Sequence, residues 1–338
     1  MPIMMAAASS HAPGLFSETY DGWQRIHEWL NTGHTQPPET ELETEDYVAE
    51  MAARTKANFA RLKQAYTDFN PDVIIAVFGD QREWFDKSNI PNLLVYSGPD
   101  WYTHHSTGRW DQAPVPVAES EEFRFPVTID RKLASELLDG LVQLGFDAGI
   151  SEVVEPQLRP KLGFAHGLGH VMPHTHPEIN TPVVPVIINV DNGPPVMMTG
   201  RRCIELGRAI AQVCERSGKR ILITGSGGMS HNPMGVRSGW VDEVQDRWFL
   251  KQMEDGNIEG LSSWFSFRSE QFDGAGGELR TWIVAAAAMD YMKPGHRAAW
   301  TDYFPSRKST TGCGWVYYAP IAFEDIRPVS RSARVGVS

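Results

Sequence analysis

The sequence predicts an α/β fold: a single domain with a largely parallel central sheet flanked by helices and an active site at the strand ends. Three observations predict it. Apolar runs of strand length, reading as buried strands, alternate with amphipathic runs of helix length. Several of those runs stop at short loops rich in Gly, Ser and His. Strand-end loops on one edge of a parallel sheet converge in space, so polar groups far apart in sequence can meet there.

Taken in order, Pro2 to Ala8 reads as a first strand, ending in Ser9-Ser10-His11-Ala12-Pro13-Gly14. Phe16 to Pro38 is irregular, with Trp23, His27 and Trp29 on a short helix. Thr40 to Phe69 predicts a long helix: Thr40 and Glu43 fit a capping box, and Val48, Met51, Thr55, Phe59, Leu62, Tyr66 and Phe69 share one face. Asn70-Pro71 ends it, and Asp72 to Phe78 is a second strand leading into Gly79-Asp80-Gln81-Arg82-Glu83. Tyr102 to Pro116 is read as a long loop, Arg131 to Phe146 as a helix, and Leu162 to Glu178 as a Gly/His/Pro-rich loop. Val183 to Val190 is a third strand, with an irregular start expected at Pro185. Thr199 to Ser217 is a helix stopped by Gly218. The strand from Arg220 runs into Gly225-Ser226-Gly227-Gly228-Met229-Ser230-His231, a turn that delivers a histidine. Trp240 to Asp255 is amphipathic, and Gly274 to Gly277 leads into Glu278 and an Ala-rich helix through Met289. The division expected is one catalytic domain over 1–326 and a flexible polar tail over 327–338.

The chain has 338 residues, 41% of them hydrophobic, and a net charge of -11. That charge argues against nucleic acid or an anionic membrane surface as a partner. Cys203, Cys214 and Cys313 show neither a disulfide framework nor zinc-type spacing. No run reaches transmembrane length, and the start lacks the basic residues of a signal peptide. A reduced, cytoplasmic setting is therefore expected.

Three strand-end loops present chemistry: His11, the Asp80/Gln81/Glu83 set, and His231. Glu278 opens a helix, and His166 lies in Ala165-His166-Gly167-Leu168-Gly169-His170. His and Glu ligands with open positions suit non-haem Fe(II), and further histidines suit proton transfer near neutral pH. Plainer readings stand beside these. Glu278 is also placed to favour a helix dipole. His166, His170, His174 and His176 could chelate a surface metal without function, and His104-His105 read as an exposed loop pair.

Ser9-Ser10-His11-Ala12-Pro13, Val77-Phe78-Gly79-Asp80-Gln81, Ala165-His166-Gly167, Thr224 through His231 and Gly277-Glu278-Leu279 occur here in the order found in a known family. The chain resembles the class III (type II) extradiol ring-cleavage dioxygenases, and within them the catalytic β subunits of protocatechuate 4,5-dioxygenases. The likeness runs to about Pro320. It implies Fe(II) held by two histidines and a glutamate, with His11 and Glu278 as ligands. It implies His231 as the base for a phenolic proton and His166 as a further acid/base or hydrogen-bonding group. The substrate implied is a catechol of the protocatechuate, gallate or 3-O-methylgallate type, opened with O₂. Arg82, Arg109, Arg280, Arg307 and Lys308 are candidates to meet a substrate carboxylate.

Two departures stand out. Gly79-Asp80-Gln81 replaces the family's Asn-Asp-His, so Gln81 stands where the second histidine ligand is expected. An amide oxygen is a weaker, harder donor than imidazole. Several readings are open: Gln81 itself ligates; Glu83 or one of His104, His105 and His170 takes its place; or the metal site serves other chemistry, such as O₂-independent hydrolysis or C–C lysis, or an accessory role. The second departure is the extra helix before the second strand. With the Trp-rich segment Trp101 to Trp110, it is expected to cover the site without a separate small α subunit. A homodimer is expected.

Overall fold

The computed structural model describes residues 4–31, 33–81, 83–85, 88–104, 124–153, 163–176, 180–190, 197–266 and 275–322. The tail expected from residue 327 lies outside them. Four parallel strands form the centre: β1 (Met4–Ser9), β2 (Val73–Gly79), β7 (Val183–Ile188) and β8 (Ile221–Ser226), side by side as β7-β2-β8-β1. Every residue of β1, β2 and β7 is buried, which is why these segments read as apolar runs without alternation. The sheet reaches eight strands through antiparallel additions. The hairpin of β9 (Trp300–Ser306) and β10 (Thr311–Ile321) pairs with β1, and β3 (Leu93–Tyr96) pairs with β7 and carries β6 (Gly149–Ser151) beyond it. The expectation of a largely parallel sheet thus holds at the centre, and the flanks reverse direction.

Helices cover both faces. On one, α3 (Arg131–Gln143), α6 (Gly200–Cys214), α7 (Glu243–Asp255) and α8 (Leu279–Met292) share a core with Ala6, Ile75 and Val186. On the other, α2 (Glu45–Phe69) and two single turns, α4 (His166–Gly169) and α5 (Met172–Thr175), pack with Met5, Ile74 and Phe78. A shorter α1 (Tyr20–Leu30) lies against α2.

Several elements differ from the sequence reading. The segment read as a Gly/His/Pro-rich loop contains α4 and α5. The start of the segment read as a long loop is β4 (Trp101–His104), paired with β5 (Arg124–Val127), while 105–123 lie outside the described residues. Pro185 does not disturb β7. It pairs in parallel register with Ala76, and the ladder to β3 spans Val186 to Ile188 and stops one residue short of it, so its missing N–H is not needed there.

The long helix starts at Glu45, with Thr44 accepting from Tyr47 N, and Pro38–Leu42 is a separate 3-10 turn. The capping box fails because Glu43 is drawn inward. Its Oε1 accepts from Arg307 N at 2.5 Å and its Oε2 from Lys308 N at 2.9 Å, which ties this segment to the β9–β10 turn. Burial pushes the Glu43 carboxyl up to about 7, against the pull of those two amides. Replacing Glu43 by Ala strands both N–H groups. Urea denaturation of Glu43→Ala should show a loss of roughly 1–3 kcal/mol; an unchanged midpoint would contradict the role given to this carboxylate.

Candidate active site

The parallel register brings distant residues to one edge. Ser9 and Ser226 end adjacent strands in register, and two residues after Ser9 comes His11. His11 Nδ1 lies 2.9 Å from Ser226 Oγ. With Nδ1 donating there, Nε2 keeps its lone pair, and it lies 3.4 Å from Glu278 Oε2. Glu278 sits where a 3-10 turn (Ala275–Glu278) passes into α8. It stands at the N-cap of α8, as the helix-dipole reading expects, but its side chain makes no cap hydrogen bond and turns to other partners. The same Oε2 accepts the Gly228 N–H and lies 3.7 Å from His231 Nε2. His231 Nδ1 donates to Met229 O at 2.7 Å, which directs Nε2 toward the carboxylate. The glycine at 228 permits this closeness: a Cβ there would stand 2.8 Å from His231 Cε1.

Glu278 is 0% exposed, and its Oε1 has no hydrogen-bond partner. Burial alone would raise its pKa. His11 and His231 outweigh burial and hold the carboxyl well below the usual carboxylate range. Burial lowers the His11 pKa against the pull of Glu278. For His231 burial also acts downward, but Glu278 and the Met229 carbonyl prevail and its pKa is raised. An ionised, water-excluded carboxylate with one orphaned oxygen beside an imidazole nitrogen is a donor set that fits a divalent cation. Among the described residues no group of three or more His, Cys, Asp and Glu is placed to hold an ion. The fit is therefore a two-donor one with open positions, unlike a closed structural site.

His166 reaches the same place from α4, its ring 5.0 Å from that of His11. Both oxygens of the buried Glu83 serve it: Oε2 accepts from His166 N at 2.9 Å, and Oε1 meets Nδ1. Glu83 thus orients His166. Asp80 accepts from the N–H groups of Trp84 and Phe85 and shapes the same loop. Gln81 is half-buried and has a left-handed backbone (φ 48°). No hydrogen bond joins it to His11, Glu278 or His231 among the described residues. His170 donates from Nδ1 to His11 O at 3.2 Å, and its ring centroid is 6.2 Å from that of His11. His104 is buried on β4, its ring edge-on to Tyr102; His105 lies outside the described residues.

Of the cations, Arg82 and Arg109 also lie outside. Arg280 is spent on the carbonyls of Met198 and Gly277 and stacks on Phe265. Arg307 pairs with Glu243 at 2.7 Å. Lys308, 5% exposed, donates to the neutral Gln24 Oε1 at 3.0 Å.

Three supports escaped the sequence reading. Ser226 orients His11, and only its place at a strand end could have pointed to it. Glu83 was read as a ligand candidate instead of a partner for His166. Asp246 reads as an ordinary first-turn acid, yet it accepts from Ser230 N and Oγ, each at 2.8 Å, and from Tyr303 OH at 2.9 Å. It thereby fixes the residue before His231.

The family model described as the catalytic LigB subunit of aromatic ring-opening dioxygenase matches residues 6–309, and the chain belongs to that family. The family resemblance read from the motifs is thus borne out. The 2,3-dihydroxyphenylpropionate/2,3-dihydroxicinnamic acid 1,2-dioxygenase of Paraburkholderia xenovorans is 30% identical over 322 residues, covering 82% of this chain and 94% of that protein. Its namesake in Photorhabdus laumondii is 25% identical over 228 residues, covering 68% of this chain and 59% of that protein. The namesake in Azotobacter vinelandii is 25% identical over 200 residues, covering 59% and 56%. In the last two alignments the chain spans less than two thirds of the relative's length. A crystal structure of an uncharacterized protein from Escherichia coli K12 matches with a TM-score of 0.47 at 14% identity, covering 78% of this chain and 92% of that one.

Asp246 gives the site a pH signature. Burial pushes its carboxyl up to about 7, against the Ser230 and Tyr303 donors. The unfolded chain releases this proton near pH ~4. Between the two values the folded state holds a proton that the unfolded state has lost, so this stabilisation is full at low pH and is lost as pH rises through about 7. Asp246→Asn removes the dependence. Its melting-temperature deficit against the parent should be smaller at pH ~8.5 than at pH ~5.5; an equal deficit at both would contradict the assignment.

Proposed function

We propose that this protein is an extradiol ring-cleavage dioxygenase that opens a catechol-type substrate with O₂. The observation that carries this reading is the convergence of His11 and His231 on the sealed Glu278 carboxylate, in a chain of the ring-opening dioxygenase family. His11 and Glu278 would hold Fe(II), with Gln81 from the adjoining loop completing the set. Bound Fe(II) supplies open positions at which a catecholate and O₂ are brought side by side. His231 Nε2, its other nitrogen fixed on Met229 O, accepts a phenolic proton as the substrate docks. His166, oriented by Glu83, holds or returns a proton beside His11. The His231 side chain is largely shielded, which keeps bulk water from competing for its proton.

Protocatechuate, gallate and 3-O-methylgallate remain the substrate types proposed from the motifs. The P. xenovorans relative adds side-chain catechols such as 2,3-dihydroxyphenylpropionate. All are carboxylated or methoxylated rings, and Lys308 is the described candidate cation with a neutral partner left to meet a carboxylate. We place the enzyme in the cytoplasm as a homodimer working without a separate small α subunit. The three cysteines are buried and unpaired, and no helix among the described residues is long and apolar enough to cross a membrane. A second reading is favoured by Gln81 alone: a different metal, and hydrolysis or C–C lysis without O₂.

Oxygen uptake decides between them. Protein loaded anaerobically with Fe(II) should consume O₂ in step with a yellow ring-opened product on at least one of these catechols. His231→Ala should keep its iron while turnover falls by about 100-fold or more. Turnover that proceeds equally without O₂, or a fully active His231→Ala, would contradict the proposal.

A further inference from the structure

We infer that Tyr303 and Asp246 are positioning residues for His231, acting through the Met229–Ser230 peptide to set the rate of proton transfer without touching substrate or metal. This rests on the proposed role of His231 as the base.

The argument turns on one peptide unit. Its carbonyl, Met229 O, accepts from His231 Nδ1 at 2.7 Å, and its N–H, on Ser230, donates to Asp246 Oδ1 at 2.8 Å. A peptide unit is planar and rigid, so holding the N–H fixes the direction of the carbonyl. The carbonyl in turn fixes the imidazole and the aim of Nε2. The flanking groups are tied as well: Met229 N donates to Gly312 O and Gly312 N to Ser230 O, each at 3.0 Å. The short segment that delivers the base is thus held from α7 and from the β9–β10 hairpin together.

Asp246 is itself pinned. It is 0% exposed, and its Oδ2 accepts from Ser230 Oγ at 2.8 Å and from Tyr303 OH at 2.9 Å. Ser230 Oγ also accepts from Asp242 N at 2.8 Å, which ties the turn to the N-cap of α7. Tyr303 reaches the carboxylate from β9. Glycine at 312 makes room for the junction, since a Cβ there would collide with Asp246 Oδ2. The Tyr303 ring is buried with the Arg247 guanidinium over it at 4.8 Å, so Tyr303→Phe keeps the packing and removes the hydroxyl alone. Without that hydroxyl Oδ2 keeps one donor in place of two, and the carboxylate gains freedom to pivot.

A double-mutant cycle separates positioning from plain stability. Fe(II)-loaded Tyr303→Phe should turn over a catechol roughly 10-fold or more slowly than the parent, because small misplacements of a catalytic group are costly. Its KM for the catechol and its iron content should stay within about twofold. In a His231→Ala background the same substitution should change kcat by less than about twofold, because no base is left to position. Should Tyr303→Phe melt below the assay temperature, Ser230→Ala takes its place in the cycle, removing the other hydroxyl on Oδ2. A crystal structure of the variant should show the His231 ring displaced or spread over two orientations. That readout needs no turnover, so it judges the positioning separately from the proposed activity. Equal losses in both backgrounds, an unchanged kcat in Tyr303→Phe, or a His231 ring in its parental place would overturn the inference while leaving the dioxygenase reading intact. A fully active His231→Ala would overturn the role of the base and this inference with it.

Discussion

A carboxylate sealed from water between two imidazoles is expensive to build, because an unpaired buried charge costs several kcal/mol. Glu278 is in that position. One oxygen is shared by Gly228 N–H, His11 Nε2 and His231 Nε2, and the other has no partner. The surroundings follow from it. Glycine at 228 lets the backbone donate to the carboxylate and lets the His231 ring lie close by. Burial lowers the proton affinity of His11, and the charge of Glu278 raises that of His231. A site held this way has its electrostatics set before any ligand arrives, which is the condition for catalysis by preorganisation.

The sheet makes that arrangement available. Parallel strands β1 and β8 end in register, so His11 and the Gly-rich turn that follows Ser226 come to one edge. The β9–β10 hairpin closes the other side. Its Gly312 exchanges backbone hydrogen bonds with Met229 and Ser230, and Ser309 Oγ accepts from Gly14 N in the His11 loop. Glu43 in turn anchors the hairpin's turn through Arg307 and Lys308. His166 and His231 have separate supports, Glu83 for His166 and the Ser230–Asp246 pair for His231.

Much of this was legible in the sequence, for identifiable reasons. The central strands were legible because burial on both faces leaves unbroken apolar runs, and α2 because its apolar face keeps a helical period. His11, His166, His231 and Glu278 stood out because each follows a strand or a Gly-rich turn, and they come together in space as that placement implies. What was hidden depends on tertiary partners. Glu43 looks like a helix cap until the hairpin, remote in sequence, claims it. Glu83 looks like a spare ligand until α4 brings His166 onto it. The His-rich segment folds into α4 and α5 although its Gly and Pro content reads as a loop, because Leu168 and Met172 pack under the sheet. Gln81 is the residue whose meaning neither the motif nor the geometry exhausts: it stands at the ligand's place in the loop with a left-handed backbone.

If Glu278 holds a cation, its charge must govern metal binding. An anaerobic Fe(II) titration of the parent protein and of Glu278→Gln, which keeps the shape and removes the charge, tests it most directly. One ion per chain in the parent, with affinity reduced at least roughly 100-fold in the variant, is the predicted result. Equal iron binding by both proteins would contradict it, and the buried carboxylate would then be an ion-pair partner for its two histidines and nothing more.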